Sequence, residues 1–454
     1  MEIEVPNQRV PVLSESDVLV CGAGCAGIAA AVSAARHGCR VTLVERWPTV
    51  GGMATNALVN GWHRSDREKM VIYGLVEESA QRAAKHGWIR EDRQFPHAHE
   101  THWFDPEGMR IVWQRMLDES GVTTLCHLVA GDPILQDGRI RGVLVDTKRG
   151  RRALLAKIVV DATGDGDVAA KAGVPFDYGR ESDGLVQGMT LVFALRGVDE
   201  GTIRALPRDR INAVIDEMVE LRSQGRMPPF NEGNMRGTFT YWGAPNHLPW
   251  NVCPVAGNPL DEEELSRLHA LAHEYVVQYL EFFRTHMPGM QDAEIEQTAC
   301  ALGVRESRRI RGLTTLTAQM VLDGVKQRDA VGHGVWMVDI HDPKGSGYTT
   351  YTDRGDHNRL RAGTSYHIPL GMCLNPHVPN LAVVGRCASS THEAHSSVRV
   401  QTHCMVMGQG VGTAAALAMY DGRDPAEVDV EKLQATLRAD GAYIEDMPAA
   451  LRHE

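Results

Sequence analysis

The stretch Asp17–Gly52, DVLVCGAGCAGIAAAVSAARHGCRVTLVERWPTVGG, predicts how the chain begins to fold. Asp17–Cys21 is a short apolar run, typical of a buried parallel strand. It leads into Gly22–Gly27, which reads G-x-G-x-x-G, and then into Ile28–His37, an Ala-rich segment of high helix propensity. A second apolar strand, Arg40–Val44, follows. This order of strand, glycine turn, helix and strand predicts a dinucleotide-binding unit.

Each glycine of the turn has a mechanical role in such a unit. Gly22 allows the tight turn out of the strand, Gly24 lets the backbone approach a pyrophosphate, and Gly27 lets helix and strand pack closely. Glu45 lies 21 positions after Gly24, near the offset of roughly 20 residues expected for an acid that binds ribose hydroxyls. The alternative, an ordinary glycine-rich turn, does not explain why all these features are in register.

A second glycine pair indicates which dinucleotide binds. Arg46 follows the ribose acid, and Gly51–Thr55 then reads GGMAT. This extension resembles the flavoproteins of the glutathione-reductase-like superfamily, in which it wraps the FAD pyrophosphate. The resemblance implies FAD rather than NAD.

Composition limits the classes of partner. The chain has 454 residues, a formal net charge of -11 and nine scattered cysteines. Because there is no basic surplus to neutralise phosphates, we expect no nucleic-acid partner. No run approaches the ~18 apolar residues of a membrane span, and the acidic N-terminus is not a secretory signal. We therefore expect a cytoplasmic protein without a membrane partner, and a homo-oligomer is left open.

The pattern along the chain predicts an α/β fold, a Rossmann-like FAD-binding domain with a parallel sheet and an inserted α+β substrate domain. The strand–helix rhythm is lost after Gly173 and returns at Asn380. The predicted divisions are 1–172 for the first part of the FAD-binding domain, 173–368 for the substrate domain, 369–425 for the second part and 426–454 for a helical tail.

Hydrophobic spacing predicts the individual elements. The predicted helices are Met70–Lys85, Pro106–Ser120, Asp261–His286, Thr413–Tyr420 and Val430–Ala442. The predicted strands are Val122–Val129, Gly142–Val145, Lys157–Val160 and Leu381–Val384. Arg90–Phe104 is polar and histidine-rich, which predicts a loop. Gly408–Gly412 is predicted as a helix start that could bind an anion or a carbonyl group.

Long motifs carry a more specific resemblance. Asp161–Gly164 ends a strand with Ala-Thr-Gly, Leu302–Arg309 matches a Gly-x-Arg-Glu-x-Arg signature, and Asn380–Ala418 contains Gly-Arg-Cys, Ser-x-x-His, Arg and Gly-Gln-x-x-Gly. Together with the first motif, they resemble the family of FAD-dependent oxidoreductases from Asp17 to Tyr420. His395 and Arg399 are also similar in spacing to the His-x-x-x-Arg of fumarate-reductase-type flavoproteins, although the residues between them depart from that pattern.

The motifs and the resemblance together give the candidate FAD contacts. They are Gly22, Gly24, Cys25, Ala26, Gly27, Glu45, Arg46, Gly51, Gly52, Met53, Ala54, Val129, Ala162, Thr163, Gly164, Gly385, Arg386, Gln409, Gly410 and Gly412.

The candidate catalytic residues are His392, His395 and Arg399. Because a flavin is its own electron sink, the protein need only orient a C–H bond and move a proton. Histidine suits that proton step, and Arg399 could place an anionic or carbonyl group. The alternative is that both histidines only form hydrogen bonds.

Two further groups allow more than one interpretation. His97, His99 and His102 invite a metal site, but a loop lacks the rigid geometry of zinc ligands, so we expect no metal. Arg305 and Arg308 could bind a substrate carboxylate or the cofactor, and the alternative is a helix-surface ion pair with Glu306.

Three functions compete. No second strand–GxGxxG–helix unit follows Gly52, so the leading hypothesis is an FAD-dependent dehydrogenase or oxidase without its own NAD(P)-binding domain. It would oxidise a small or medium-sized polar organic substrate by hydride transfer to flavin N5 and pass electrons to oxygen or another acceptor. The alternatives are a non-redox flavoenzyme of isomerase, hydratase or cyclase type and an FAD-binding component of a larger complex.

Overall fold

The computed structural model describes residues 9–91, 101–238, 248–344 and 358–445. Its strands are β1 Val12–Cys21, β2 Val41–Glu45, β3 Gly61–His63, β4 Ile89–Glu91, β5 Thr101–Phe104, β6 Thr123–Cys126, β7 Ala130–Gln136, β8 Arg139–Thr147, β9 Gly150–Asp161, β10 Phe176–Tyr178, β11 Met189–Arg196, β12 Leu248–Val255, β13 Glu294–Thr298, β14 Arg308–Ile310, β15 Ala330–Gly334, β16 Tyr366–Pro369 and β17 Leu381–Val383.

The helices are α1 Cys25–Arg36, α2 Leu75–Ala84, α3 Pro106–Glu119, α4 Asp167–Lys171, α5 Glu200–Ala205, α6 Arg208–Ser223, α7 Glu232–Thr238, α8 Glu262–His286, α9 Ala318–Leu322, α10 His392–Val398, α11 Gln401–Asp421 and α12 Val430–Ala439. Single 3₁₀ turns occur at Gly52–Ala54, Leu370–Cys373 and Pro425–Glu427. In the described ranges, no helix is long and apolar enough to cross a membrane.

A mainly parallel sheet forms the centre of the molecule. Its strands lie in the order β6-β2-β1-β9, β17 pairs in parallel with the end of β9, and β8 and β7 extend the sheet antiparallel. Val18 of β1 pairs with Val41 on one side and with Ile158 on the other. Because both faces of these strands are covered, Val18–Cys21 is apolar throughout and fully buried. The predicted α/β architecture with a parallel sheet is confirmed.

Helix α1 packs against this sheet, and α11 packs along α1. A Cβ atom on Gly408 would lie 2.1 Å from the Ala26 carbonyl oxygen, and one on Gly412 would lie 2.3 Å from the Ala30 carbonyl oxygen. The two glycines therefore let the helix backbones come close together. Since α11 begins at Gln401, the prediction of a helix start at Gly408–Gly412 is wrong. These glycines instead form a contact surface within a longer helix.

A second core lies around the antiparallel sheet β12-β11-β13. Trp250, Phe193, Tyr279 and Phe283 form its aromatic centre, with α8 packed against the sheet. In contrast, described residues from Leu316 onwards contribute to the core around α1 and α11. We therefore propose that the substrate domain is shorter than the predicted 173–368 and coincides with the second core. Apart from Leu58, the residues of that core lie between Met189 and Leu302.

Several predicted elements are confirmed, and two need correction. Helix α3 differs from its predicted range by one residue at its end, and α8 by one residue at its start. Helix α2 begins only at Leu75, because Gly74 takes a left-handed φ of 64°. The prediction of a loop at Arg90–Phe104 is wrong in part, since the end of β4 and the whole of β5 lie in this range and form a small sheet with β3.

Candidate functional site

The glycine turn after β1 is built as the sequence requires. Gly22 has φ +105°, and a Cβ atom there would lie 2.4 Å from the Ala162 carbonyl oxygen. A Cβ atom on Gly27 would lie 1.8 Å from the Gly22 carbonyl oxygen. No other residue fits at these two positions, so the turn brings β1, β9 and the start of α1 together.

Gly24 differs from the other two glycines of the motif, Gly22 and Gly27. Its φ of −73° suits any residue, and the nearest atom to an added Cβ is the Gly52 Cα at 4.0 Å. The first N–H groups of an α-helix have no intrahelical acceptors. In α1 no capping side chain accepts from them and the first turn contains no acid. Open space beside these N–H groups is what an anionic phosphate group requires.

Glu45 closes the turn at the end of β2. Its carboxylate accepts hydrogen bonds from Ala23 N at 2.6 Å and Trp47 N at 3.0 Å. Burial raises the pKa of Glu45 despite these bonds. The Arg46 guanidinium lies 5.5 Å from the centre of the Trp47 ring. The predicted ribose acid is thus buried against the glycine turn.

The second glycine pair lies against the first turn. Gly51 N donates to the Ala23 carbonyl oxygen at 2.8 Å, and Gly51 and Gly52 have φ angles of +115° and +55°. The 3₁₀ turn Gly52–Ala54, which includes Met53, follows directly. Two segments predicted to bind one pyrophosphate therefore meet at Gly24 and Gly51.

The turn after β9 completes this side of the site. Asp161 accepts hydrogen bonds from Thr163 N at 3.0 Å and Ala169 N at 2.8 Å, while burial raises its pKa to about 6. Gly164 has φ +82°. Ala162 N donates to the Cys21 carbonyl oxygen at 2.8 Å, which places this turn beside the end of β1.

Arg386 joins the turn after β9 to the signature segment 302–309. It donates to Asp165 Oδ1 and to Ser307 Oγ, each at 2.8 Å. Burial opposes ionisation of Asp165, but Arg386, the hydrogen bond from Ser307 and the charge of Arg46 together lower the pKa of that carboxyl. Gly385 lies against the start of α1, since its Cβ position is 3.1 Å from Ala26 Cβ.

The remaining predicted FAD contacts lie in other surroundings. Val129 is 63% exposed beside the end of β2, where Leu128 N donates to the Glu45 carbonyl oxygen. Gln409 Oε1 accepts from Leu75 N at 2.9 Å and so caps α2. Gly410 and Gly412, which we predicted at a helix start, lie inside α11 against Val331 and Ala30.

His392 forms a buried pair with Glu306. Its Nδ1 atom lies 2.9 Å from the Glu306 carboxylate, which is fully buried. Glu306 also pairs with Arg309 and accepts from Gln187 N at 3.0 Å. Burial opposes ionisation of Glu306, but the bond to His392 and the nearby cations lower its pKa. An ionised carboxylate thus fixes the orientation of the His392 ring.

His395 lies one turn further along α10 and is bound differently. Its Nε2 atom lies 2.9 Å from the Arg305 carbonyl oxygen, to which it must donate, so Nδ1 carries a lone pair. That Nδ1 atom is buried without a hydrogen-bond partner among the described residues. Burial lowers the pKa of His395 to about 3. The ring is therefore a neutral hydrogen-bond acceptor at physiological pH.

Arg399 adds a cation beside these histidines. Its Nη2 atom donates to the Asp339 carbonyl oxygen at 3.2 Å. Gln187 Oε1 accepts from His341 N at 3.2 Å, so Gln187 also contacts the segment that contains Asp339. Within the described ranges, four buried polar atoms here lack a hydrogen-bond partner: Arg399 Nε, His395 Nδ1, Asp339 Oδ1 and Gln187 Nε2. We call the residues Gln187, Glu306, Asp339, His392, His395 and Arg399 the polar cluster.

A pocket opens beside the segment that leads to Asp339. Its lining residues include His63, Arg67, Trp336, Met337 and Arg359. The His63 and Trp336 rings are stacked at 3.5 Å, and the Trp336 carbonyl oxygen accepts from Ser397 of α10. The pocket is therefore connected through α10 to the polar cluster.

The signature segment does not form the helix surface that we considered for Arg305 and Arg308. Arg305 is buried and donates to the Gly188 carbonyl oxygen at 2.8 Å, and Arg308 pairs with Asp167 at 2.8 Å. Glu306 faces inward to His392 instead. The alternative of an ion pair between these arginines and Glu306 on a helix surface is wrong, because the segment is extended and buried.

Comparison with known proteins identifies the family. A family model described as FAD dependent oxidoreductase matches residues 17–437. The chain belongs to this family. FAD is its cofactor, as the resemblance implies, and the chain is an oxidoreductase.

Individual relatives are more distant from this FAD-dependent oxidoreductase. The digeranylgeranylglycerophospholipid reductase of Methanosphaerula palustris is 29% identical over 169 residues, which is 33% of this chain and 39% of that protein. The corresponding reductase 1 of Methanopyrus kandleri is 29% identical over 164 residues, 33% of this chain and 40% of that protein. The matched region thus spans about two fifths of the length of these curated relatives.

Solved structures align with most of this chain at low identity. A geranylgeranyl bacteriochlorophyll reductase-like protein from Thermoplasma acidophilum aligns over 94% of this chain and 84% of its own, with 12% identity and a TM-score of 0.47. The anhydrotetracycline hydroxylase OxyS of Streptomyces rimosus aligns over 94% of this chain and 65% of its own, with 11% identity and a TM-score of 0.47.

The residues present fit FAD. The open space at Gly24 would give room for a pyrophosphate, and the uncapped start of α1 would offer N–H donors to it. The buried Glu45 would accept hydrogen bonds from ribose hydroxyls. The turn after β9 and Arg386 connect this cradle to Ser307, next to Glu306 of the polar cluster.

Sequence reasoning missed part of the polar cluster. The sequence predicts Glu306 only as the partner in a helix-surface ion pair, and it gives no prediction for Gln187 or Asp339. Glu306 could have been found from its place within the Gly-x-Arg-Glu-x-Arg signature. Gln187 and Asp339 carry no local signal, because only the folded chain brings them to α10. His97 and His99 lie outside the described residues, and His102 is buried on β5.

Proposed function

We propose that this flavoenzyme oxidises a small or medium-sized polar organic substrate bound at the polar cluster. The observation that supports the proposal is the set of four buried polar atoms without partners, on Gln187, Asp339, His395 and Arg399. Leaving buried polar groups unpaired costs about 1–3 kcal/mol each. A polar ligand that pairs with them would recover this cost. A purely hydrocarbon substrate could not.

The roles of the two histidines can be distinguished. His392 donates through Nδ1 to Glu306, so its Nε2 atom carries the lone pair that can accept a substrate proton. His395 already donates through Nε2 and has a pKa of about 3, so it serves better to accept a hydrogen bond from substrate. We propose His392 as the acid/base and His395 with Arg399 as substrate-positioning groups.

The chemistry then follows from general principles. When bound, FAD supplies a ring that accepts a hydride from a substrate carbon. His392 takes the proton from the substrate oxygen or nitrogen, and the product is a C=O or C=N compound. The Glu306 carboxylate stabilises the imidazolium that results. Arg399 holds a negative or carbonyl group of the substrate near the cluster.

We propose that a small or medium-sized substrate reaches the polar cluster from the pocket beside Trp336, because the Trp336 carbonyl oxygen accepts from Ser397 of α10. The curated relatives are named as reductases, so the experiment distinguishes oxidation of a polar substrate from reduction of an alkene.

The test is anaerobic reduction of the bound flavin. The holoenzyme is mixed without oxygen with panels of polar alcohols, hydroxy acids and amines, and the flavin absorbance is followed. We expect at least one compound to bleach the flavin, and His392→Gln to slow the bleaching while the exposed His86→Gln does not. If no polar compound bleaches the flavin, but chemically reduced enzyme is reoxidised by a prenyl alkene, the proposal is wrong.

A further inference from the structure

Two histidines face each other on the hairpin of β15 and β16. His333 and His367 are directly paired across the two strands, and their ring centres are 4.7 Å apart. Both residues are only 1% exposed. This pair is separate from the glycine turns and from the polar cluster, and nothing in the proposed function uses it.

Each ring is held by one nitrogen and has the other unused. His333 Nδ1 lies 2.8 Å from Ser365 Oγ, and His367 Nδ1 lies 3.2 Å from the Gln327 carbonyl oxygen and 3.1 Å from Gln327 N. Both Nε2 atoms are buried without a hydrogen-bond partner in the described ranges. Two orphaned imidazole nitrogens in one place call for a shared ligand.

A carboxylate completes the group. Glu445 follows α12, and its carboxylate and the two histidines place one ligand atom each within 4.8 Å of one another. We propose that His333, His367 and Glu445 bind a divalent transition metal of the zinc type, which fastens the segment after α12 to the β15–β16 hairpin. Imidazole and carboxylate are ordinary zinc ligands, and three protein ligands leave a fourth position for water.

The surroundings of the histidines suit ligation. A metal-bound imidazole usually donates its other N–H to a nearby oxygen, which fixes the ring. Ser365 Oγ and the Gln327 carbonyl oxygen are the acceptors available here. Metal binding selects the His367 tautomer that donates from Nδ1 to the Gln327 carbonyl oxygen, and it gives up the hydrogen bond that Nδ1 otherwise accepts from Gln327 N. Burial also lowers the pKa of His333 to about 3 and that of His367 to about 4, so protons do not compete for the rings at neutral pH.

Two lysines compete with a metal for Glu445. Lys326 Nζ lies 3.2 Å and Lys69 Nζ 3.5 Å from its carboxylate, and Tyr443 OH donates to it at 2.9 Å. A carboxylate has about four acceptor positions. The Lys69 side chain is 55% exposed, so water can replace this contact at little cost. The lysines therefore lower the affinity of the site without blocking it.

The experiment uses the FAD-loaded full chain after dialysis against a chelator. Zinc is added, and elemental analysis after equilibrium dialysis gives the stoichiometry. Cobalt(II) is added in parallel, because its visible absorption reports a tetrahedral site. We expect one metal per chain, loss of stoichiometric binding in His333→Gln and His367→Gln, and at least tenfold weaker binding in Glu445→Gln.

His273→Gln is the matched control. His269 and His273 also lie close together, with ring centres 4.8 Å apart, but both nitrogens of His273 already have partners, the His269 carbonyl oxygen and Thr298 Oγ1. This variant should bind zinc and cobalt like the unmodified protein. Flavin absorbance shows that each variant is folded, and Glu445→Gln decides the question if a histidine variant is not. Substoichiometric binding by the unmodified chain, or undiminished binding in Glu445→Gln, would overturn the proposal.

Discussion

His392 Nδ1 lies 2.9 Å from the Glu306 carboxylate, which no solvent reaches. A buried carboxylate that pairs with one ring nitrogen leaves the other nitrogen as the proton acceptor. The pair therefore distinguishes His392 from His395, although the sequence presents them as equivalent candidates three residues apart.

Replacing His392 should affect the chemical step. We expect His392→Ala to slow substrate-dependent flavin reduction by about a hundredfold, the lower range for loss of an acid/base group. The visible spectrum of bound FAD should be unchanged, and added imidazole should restore part of the rate. Stopped-flow absorbance under anaerobic conditions measures both effects. An unchanged rate would exclude His392 from the proton step.

Replacing His395 should instead affect substrate binding. Because its Nδ1 atom can only accept a hydrogen bond, His395→Ala should raise KM about tenfold, equivalent to about 1.4 kcal/mol of lost binding. The limiting rate of flavin reduction should change much less. Saturation curves for the two alanine variants, measured side by side, test this division. A loss confined to the limiting rate would reverse the assigned roles.

The two glycines Gly24 and Gly27 should give opposite phenotypes. Since the nearest atom to a Cβ atom at Gly24 would be the Gly52 Cα at 4.0 Å, Gly24→Val should fold and purify without flavin. A Cβ atom at Gly27 would lie 1.8 Å from a carbonyl oxygen, so Gly27→Val should fail to fold. Circular dichroism and flavin absorbance of the purified proteins distinguish the cases. A yellow Gly24→Val protein would contradict the phosphate role of Gly24.

How far the sequence predicts this molecule depends on the range of each interaction. The turn Gly22–Gly27 and the acid Glu45 belong to one continuous strand–turn–helix–strand unit. Their spacing in the sequence therefore predicts where they lie in the fold. The glycines of Gly408–Gly412 resemble a helix start just as well as a helix contact, and only the position of α1 decides between them. Glu306 and Asp339 meet α10 through tertiary folding, which no local pattern records.

The contact between α1 and α11 leads to a prediction about stability. Alanine is usually about 1 kcal/mol better than glycine inside a helix, but a Cβ atom on Gly412 would lie 2.3 Å from the Ala30 carbonyl oxygen. We expect Gly412→Ala to lower the free energy of unfolding by about 1–3 kcal/mol, the usual cost of overpacking. Gly201→Ala on the exposed side of α5 is the control and should be neutral or slightly stabilising. Denaturant titrations measure both, and a stabilised Gly412→Ala would show that the helices do not touch there.

Buried neutral histidines should make the protein sensitive to mild acid. Burial lowers the pKa of His395 and of His403 to about 3, and both rings are fully buried. In the unfolded chain, each would take up a proton near pH 6.5. Below that pH the unfolded state binds more protons than the folded state. The free energy of unfolding therefore decreases as the pH is lowered, by up to about 1.4 kcal/mol per pH unit for each histidine.

One buried acid acts in the opposite direction. The pKa of Asp161 is raised to about 6, so its protonation favours the folded state between pH 6 and its ordinary value near 4. Its effect on the free energy of unfolding offsets that of no more than one histidine. We therefore expect the free energy of unfolding to be highest above pH 6.5 and to fall between pH 6.5 and 5. His403→Asn should reduce this slope by up to about 1.4 kcal/mol per pH unit, and the exposed His86→Gln serves as the control. Denaturant titrations across this pH range give the slope, and a His403→Asn protein with an unchanged slope would show that His403 is not neutral when folded.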